Sequence, residues 1–237
     1  MRFVVANWKM NGSRNYAKEF ALGLRRIDNE IGGQIECIAC PPFVLIDVFA
    51  DMTSGVGGCK RIKVGAQDCH HELSGAYTGS ISAEMLKDAG CGYVIVGHSE
   101  RRSACKESDE LIKNKALAAS RAGLRPVICI GESEYLADPW DFLEKQCIGS
   151  IPECDAIIAY EPVWAIGSGR VPSLADIERV VSKIKAYTAL PVLYGGSVNP
   201  ENATDIMKLT DGLLVGSASL DIGKFAGIIL ALSSLHG

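Results

Sequence analysis

Histidine is scarce in this chain: four residues among 237, two of them adjacent (His70, His71) and one in the terminal tail (His236). There is no H-E-x-x-H motif, and Cys37–Cys40 has no second C-x-x-C to complete a zinc spacing, so no metal is expected. No G-x-G-x-x-G turn follows the first apolar run, which argues against a dinucleotide-binding half. No apolar stretch approaches the roughly 20 residues of a membrane span, and the N-terminal run Phe3–Ala6 is too short for a signal peptide. Basic residues do not outnumber acidic ones (24 against 28, formal net charge -4), so nothing draws the chain to nucleic acid or an anionic membrane. A local anion site stays open, because helix N-termini and single lysines bind phosphate whatever the total charge. A long Pro/Gly/Ser-rich linker is also missing, and one domain over residues 1–237 is expected.

The cysteines number nine, an odd count spread along the chain, and read as reduced, partly buried thiols of a cytoplasmic protein. Cys37 and Cys40 lie within and at the end of an apolar run before Pro41-Pro42; a redox pair or metal site is the alternative for them.

What the chain has in quantity is short apolar runs separated by helical periodicity. Strands are expected near 3–8, 35–40, 61–66, 91–97, 125–130, 155–160, 191–195 and 212–216. Near-continuous runs such as Tyr93–Val96 and Pro126–Ile130 suit strands buried on both faces, which requires helices outside a parallel sheet. Leu174, Ile177, Val180 or Val181, Ile184 and Tyr187 form one stripe of a helix near 174–188, and Tyr16, Phe20, Leu24 and Ile27 mark another near 14–28. A third spans about 107–121, with Glu107, Asp109 and Glu110 at its start, Arg121 at its end and Gly123 as its stop; a last helix covers about 220–234. Eight strand–helix alternations in this length point to an α/β fold closed as a single (β/α)8 barrel. The Gln67–Ser80 connection is long for a βα loop, and 133–154 leaves room for only a short fifth outer helix.

In such a barrel, functional groups sit beyond the C-terminal ends of the strands. Asn7, Lys9, His98 and Glu161 all follow apolar runs on that side, so closure of the sheet brings them to one mouth. A carboxylate can take a proton alpha to a carbonyl while an uncharged imidazole and an ammonium polarise the carbonyl oxygen. Each group also has a plainer reading: Glu161 as a solvated strand-end charge, His98 as a helix cap, Glu100, Arg101 and Arg102 as a salt-bridged helix start. Lys9, between Trp8 and Met10, needs a counter-charge or an anion. Gly167-Ser168-Gly169, Gly195-Gly196-Ser197 and Gly216-Ser217 could present backbone N–H groups to phosphate, or could be turn and cap residues.

Taken together, Asn7–Gly12, Gly65–Gln67, Gly97–Arg102, Cys129–Glu132, Tyr160–Gly167, Tyr194–Val198 and Leu214–Gly216 resemble the triosephosphate isomerase family over almost the whole chain. The resemblance implies the TIM barrel and interconversion of dihydroxyacetone phosphate and D-glyceraldehyde 3-phosphate through an enediol(ate), with no cofactor. It implies Glu161 as base, His98 as neutral electrophile and Lys9 as substrate-binding cation with Asn7 beside it. Backbone N–H groups of Gly167, Ser197, Gly216 and Ser217 would hold the phosphate, and Glu100 would support Lys9. Pro162–Gly169 resembles a mobile lid, with Trp164 paired to Glu132 when open and Tyr194 and Ser197 as latches when closed. It further implies a cytoplasmic homodimer of glycolysis and gluconeogenesis, whose 67–80 loop would place Thr78 near Asn7 and Lys9 of the partner subunit.

Four positions depart from the family pattern. Ser217 stands where a second glycine is common, and would be strained if its backbone needed positive φ. Ser80 replaces a common glutamate, removing an expected interface ion pair to Arg101. Ala104-Cys105 replaces bulkier residues, which would leave a packing vacancy. The fifth βα unit is shortened, with Pro139–Leu143 expected to reseal the outer layer through bulky aromatics. None deletes Lys9, His98 or Glu161. The alternatives are an isomerase-like barrel kept only for phosphate-metabolite or protein binding, and another phosphosugar isomerase.

Overall fold

The apolar runs pair as parallel strands because each is apolar on both faces and can be covered only by a barrel interior on one side and helices on the other. A computed structural model describes residues 1–54, 58–166 and 170–234. Its strands are β1 (Arg2–Asn7), β2 (Ile35–Cys40), β3 (Ile62–Ala66), β4 (Tyr93–Val96), β5 (Arg125–Ile130), β6 (Ile157–Tyr160), β7 (Val192–Tyr194) and β8 (Gly212–Val215). They close in sequence order, β1 pairing with both β2 and β8.

The helices between them are α1 (Arg14–Ile27), α2 (Ile46–Ser54), α3 (Ala83–Asp88), α4 (Ser99–Ala104), α5 (Asp109–Arg121), α6 (Trp140–Ser150), α7 (Leu174–Tyr187), α8 (Ala203–Leu209) and α9 (Ile222–Ser233). Helix α1 buries Ala17, Phe20, Ala21 and Leu24, one stripe, and starts where Ser13 Oγ accepts the Tyr16 N–H. Helix α7 buries Ile177, Val180, Val181 and Ile184, and Ser173 caps it; Leu174 and Tyr187, the ends of the expected stripe, are exposed. Gly123 follows α5 at φ +75°, the left-handed stop expected of it.

Several expectations are corrected. Glu107 is not in the first turn of α5, which Ser108 caps; it is buried below, against Lys115 and Arg101. Helix α6 runs for 11 residues; Trp140 packs against the core as expected, but Phe142 is exposed and the buried face is Leu143, Gln146, Cys147 and Ser150. Ala104 and Cys105 lie on the surface of this chain, so their small size opens no interior vacancy. All nine cysteines are free, Cys37 and Cys40 included. No described helix is long and apolar enough to cross a membrane.

Two apolar layers result. One fills the space between strands and helices; the other, inside the barrel, contains Phe3, Val5, Ile38, Cys40, Ile95, Val127, Cys129, Ile157, Ala159, Leu193 and Leu214. The root of the Gln67–Ser80 loop is held by Asp68, which pairs with Lys115 at 2.7 Å and with Arg101 at 2.8 Å. Arg101 is thus engaged within its own chain. Burial raises the Asp68 carboxyl against the downward pull of Lys115.

Candidate active site

Strand alternation decides which polar groups enter the barrel. Phe3 and Val5 on β1 point inward, as do Val127 and Cys129 on β5 and Ile157 and Ala159 on β6. Two residues further along each strand bring Asn7, Gly131 and Glu161 to the inner rim at the C-terminal end. There a cavity of about 640 Å³ opens, lined by Asn7, Lys9, His98, Glu161, Ser197 and the Gly216–Ser217 turn among others.

Glu161 is 2 % exposed, and both its oxygens accept hydrogen bonds. Oε1 lies 3.0 Å from His98 Nε2, and Oε2 accepts the Ser99 N–H at 2.9 Å. The carboxylate is therefore buried but doubly satisfied, which is the condition for keeping a charge there. Below it, Cys129 has its thiol pushed far up by burial and then by the Glu161 charge, so it is no competing nucleophile.

His98 is both things the sequence allowed. It caps α4, its Nδ1 accepting the Glu100 N–H at 3.2 Å, and it faces the cavity through Nε2. Burial pulls its pKa down and the Glu161 carboxylate pulls it up, leaving it above the ordinary histidine value. The bond from Glu100 nevertheless requires Nδ1 without a proton, so the ring is neutral and Nε2–H is the donor. Most of the upward pull belongs to Glu161, with a smaller one from Glu100, while burial and the Lys9 charge act downward.

Lys9 adopts φ +54°, a region that costs a residue with a Cβ about 1 kcal/mol. Two bonds hold it there: its N–H donates to Asn7 Oδ1 at 3.0 Å, and Gln67 Nε2, which also donates to Cys40 O, donates to Lys9 O at 2.9 Å. The sequence context is only half apolar, since Trp8 is fully buried and Met10 almost fully exposed. The counter-charge it needed is Glu100, whose Oε1 is 2.7 Å from Nζ.

Further along the lining, Ser217 opens a short 3-10 turn (Ser217–Leu220) after Gly216. Among described non-glycine residues only Lys9 and Lys106 have positive φ, so Ser217 is unstrained. Ser197 Oγ donates to Ala165 O at 3.1 Å. Tyr194 is buried, and its hydroxyl has no partner among the described residues. Trp164 Nε1 donates to Glu132 Oε1 at 2.7 Å, which also accepts from the Tyr160 hydroxyl at 3.0 Å. Gly167, with the rest of 167–169, lies outside the described residues. Thr78 sits on the exposed tip of its loop and does not line the cavity.

Burial is the main influence on Glu132 and holds its carboxyl above the usual value. Ionising it in the folded protein therefore costs more than in the unfolded chain: the penalty is absent below pH 4.5 and complete above the raised pKa. Glu132→Gln keeps an acceptor for Trp164 and Tyr160 and removes the charge. The variant should gain stability relative to the native protein as pH rises from about 4.5 to 7, read from unfolding midpoints. A difference that does not change with pH would overturn this assignment.

Several supports were not apparent in the sequence. Gln67 clamps the strained lysine, and the Ser99 N–H holds the carboxylate. Arg102, which read as part of a helix start, joins β4 to β5: Nε donates to Gly97 O and Nη2 to Cys129 O, each at 2.9 Å. Its clue was a guanidinium two residues after a first-turn carboxylate, a signal too common to single it out. Among the described residues no three His, Cys, Asp or Glu side chains gather as a metal site.

Comparison with known proteins adds an independent line. The sequence profile of the family described as triosephosphate isomerase matches residues 2–232. A triosephosphate isomerase of Bradyrhizobium diazoefficiens is 42% identical over 243 aligned positions, covering 95% of each chain. One from the Wolbachia of Brugia malayi is 43% identical over 234 positions, again covering 95% of each. The crystal structure of triosephosphate isomerase from Bartonella henselae superposes with a TM-score of 0.82 at 35% identity, covering 99% of each chain.

Proposed function

The chain belongs to the triosephosphate isomerase family, and from that premise we propose how its residues interconvert dihydroxyacetone phosphate and D-glyceraldehyde 3-phosphate. The observation that carries the assignment of roles is the convergence of a buried carboxylate, a neutral imidazole N–H and an ammonium on one cavity.

Glu161 leaves both the Ser99 N–H and the His98 Nε2–H, freeing the latter, and takes a proton from C1 of dihydroxyacetone phosphate. The C–H electrons form a C1=C2 double bond and the carbonyl electrons move to oxygen. His98 Nε2–H donates to that oxygen and Lys9 offsets its growing negative charge. The oxygen on C1 then loses its proton through His98, and Glu161 returns its proton to C2, giving the aldehyde. Electrons and protons are only redistributed within the substrate, so the steps call for no external oxidant or reductant. Backbone N–H groups of Ser197, Gly216 and Ser217, together with that of Gly167, grip the phosphate, with Asn7 holding Lys9 in line. Glu100 keeps the ammonium extended. The segment from Pro162 onward is the lid that excludes water from the enediolate, its open position held by the Trp164–Glu132 bond, with Tyr194 and Ser197 as its latches on closing.

We further assign the protein to a homodimer, to glycolysis and gluconeogenesis, and to the cytoplasm. Free cysteines favour a reducing compartment. Exposed Met10, Val44, Leu73 and Tyr77 on and near the loops that carry Lys9 and Thr78 favour a covered face. A coupled assay in both directions over a protein dilution series tests the reading. Turnover in both directions is expected, with specific activity falling on dilution. A folded protein with no turnover at any concentration would overturn the assigned chemistry, and activity independent of dilution would overturn a dissociable dimer.

A further inference from the structure

The charges around the cavity do not favour an anion on the strength of the central groups alone. Glu161 and Glu201 both line it, and Lys9 has its ammonium 2.7 Å from Glu100. A phosphodianion approaching this mouth would meet two carboxylates and one already compensated cation. Among the described residues of the lining, the remaining lysine is Lys224. No ion pair or side-chain hydrogen bond among the described residues engages its ammonium, whereas that of Lys9 is paired with Glu100.

The position of Lys224 is unusual for a lysine that serves only its helix. It is the third residue of α9, where its N–H donates to Asp221 Oδ1 at 3.0 Å. A cation in a first turn opposes the helix dipole, so helix stability does not account for it. The location instead suits the phosphate end of the cavity. The Lys9 stem runs beside Gly216, a Cβ there lying 3.7 Å from Lys9 Cε, and the turn Ser217–Leu220 leads directly into α9. Lys9, Lys224, Gly216 and Ser217 thus all line the same cavity.

We propose that Lys224 is the phosphate-recruiting cation of this cavity, drawing the phosphodianion to the Gly216–Ser217 turn while Lys9 remains available to the reacting oxygen. The proposal rests on the triose-phosphate reading for its substrate but not for its anion. An exposed ammonium acts here through attraction screened by salt, so it contributes to capture rather than to the proton transfers.

The test uses the full chain with Lys224→Met and Lys224→Arg. Steady-state kinetics are taken from about 0.02 M to about 0.5 M ionic strength, and binding of inorganic phosphate is read separately from its elevation of the unfolding midpoint. Lys224→Met should raise KM about fivefold at low salt with kcat nearly unchanged, and the difference should vanish at high salt. Its stabilisation by phosphate should weaken in parallel, and Lys224→Arg should restore both. Unchanged KM and unchanged phosphate stabilisation at low salt would overturn the proposal. So would a loss that is independent of salt and not restored by arginine, since that marks a structural role. If the native protein turned over no triose phosphate yet Lys224→Met still lost phosphate stabilisation, the isomerase roles would fail and the anion site would stand.

Discussion

Glu161→Gln should lower kcat in both directions by about 10³-fold while leaving KM within a few-fold of native. The amide matches the carboxylate in shape but cannot accept a proton from carbon. The phosphate contacts assigned to Ser197, Gly216 and Ser217 are untouched, so binding should survive. Stability should change modestly and for a definite reason. Both Glu161 oxygens accept, from His98 Nε2 and from the Ser99 N–H, whereas an amide offers one acceptor and one donor. The Ser99 donor is fixed in the backbone, and the His98 donor is fixed because Nδ1 accepts from Glu100. One N–H must then face another, costing about 1–2 kcal/mol. The check is steady-state kinetics together with exchange of substrate C–H for deuterium in heavy water. Loss of both in a folded variant supports the base assignment; a variant that keeps kcat within tenfold of native removes Glu161 from the role.

Gly131→Ala should damage the same site through the backbone. A Cβ on Gly131 would lie 1.7 Å from Glu161 O, closer than any nonbonded contact allows. The obstacle is main chain, so no side chain can turn aside. Relief by sliding β5 is blocked as well, because Gln146 on α6 grips Gly131 at both ends, accepting from its N–H at 2.8 Å and donating to its oxygen at 3.3 Å. The expected cost is about 3 kcal/mol or more, a drop of about 6–12 °C in unfolding midpoint for a chain of this size. Where the variant folds, the displaced Glu161 should cost about 100-fold in kcat, since misplacement by about 1 Å is enough. A variant with native midpoint and native kcat would show that the two strands part without consequence.

These effects trace back to features of different legibility. Tyr160-Glu161-Pro162 and Gly97-His98-Ser99-Glu100 announce their groups because an apolar run ends on a polar residue, and a closed parallel sheet sends all such ends to one side. The Lys9–Glu100 pair and the Trp164–Glu132 bond come from family resemblance, and the structure has both. Glu107 was misplaced because acidic residues before a helix look alike whether they serve its dipole or a buried ion pair. Of the two aromatics in 139–143, Trp140 packs against the core, while helical phase turns Phe142 outward and Leu143 inward, which size alone does not reveal. Lys224 carries no local signal, since a lysine three residues after an aspartate is ordinary until α9 is placed beside the cavity.

The sequence by itself determined the strand order, the parallel barrel and the rim on which the chemistry stands. Period-two alternation, apolar strands and helix caps are local physics and need no knowledge of distant residues. Only the tertiary structure decided which groups satisfy one another: Ser99 for Glu161, Gln67 for Lys9, Gln146 for Gly131, Asp68 for Lys115. Those partners are 15 to 62 residues apart, and buried polar groups must be paired wherever the closed barrel brings a complement. Closure of the sheet sets that pairing, and no stretch of chain read alone contains it.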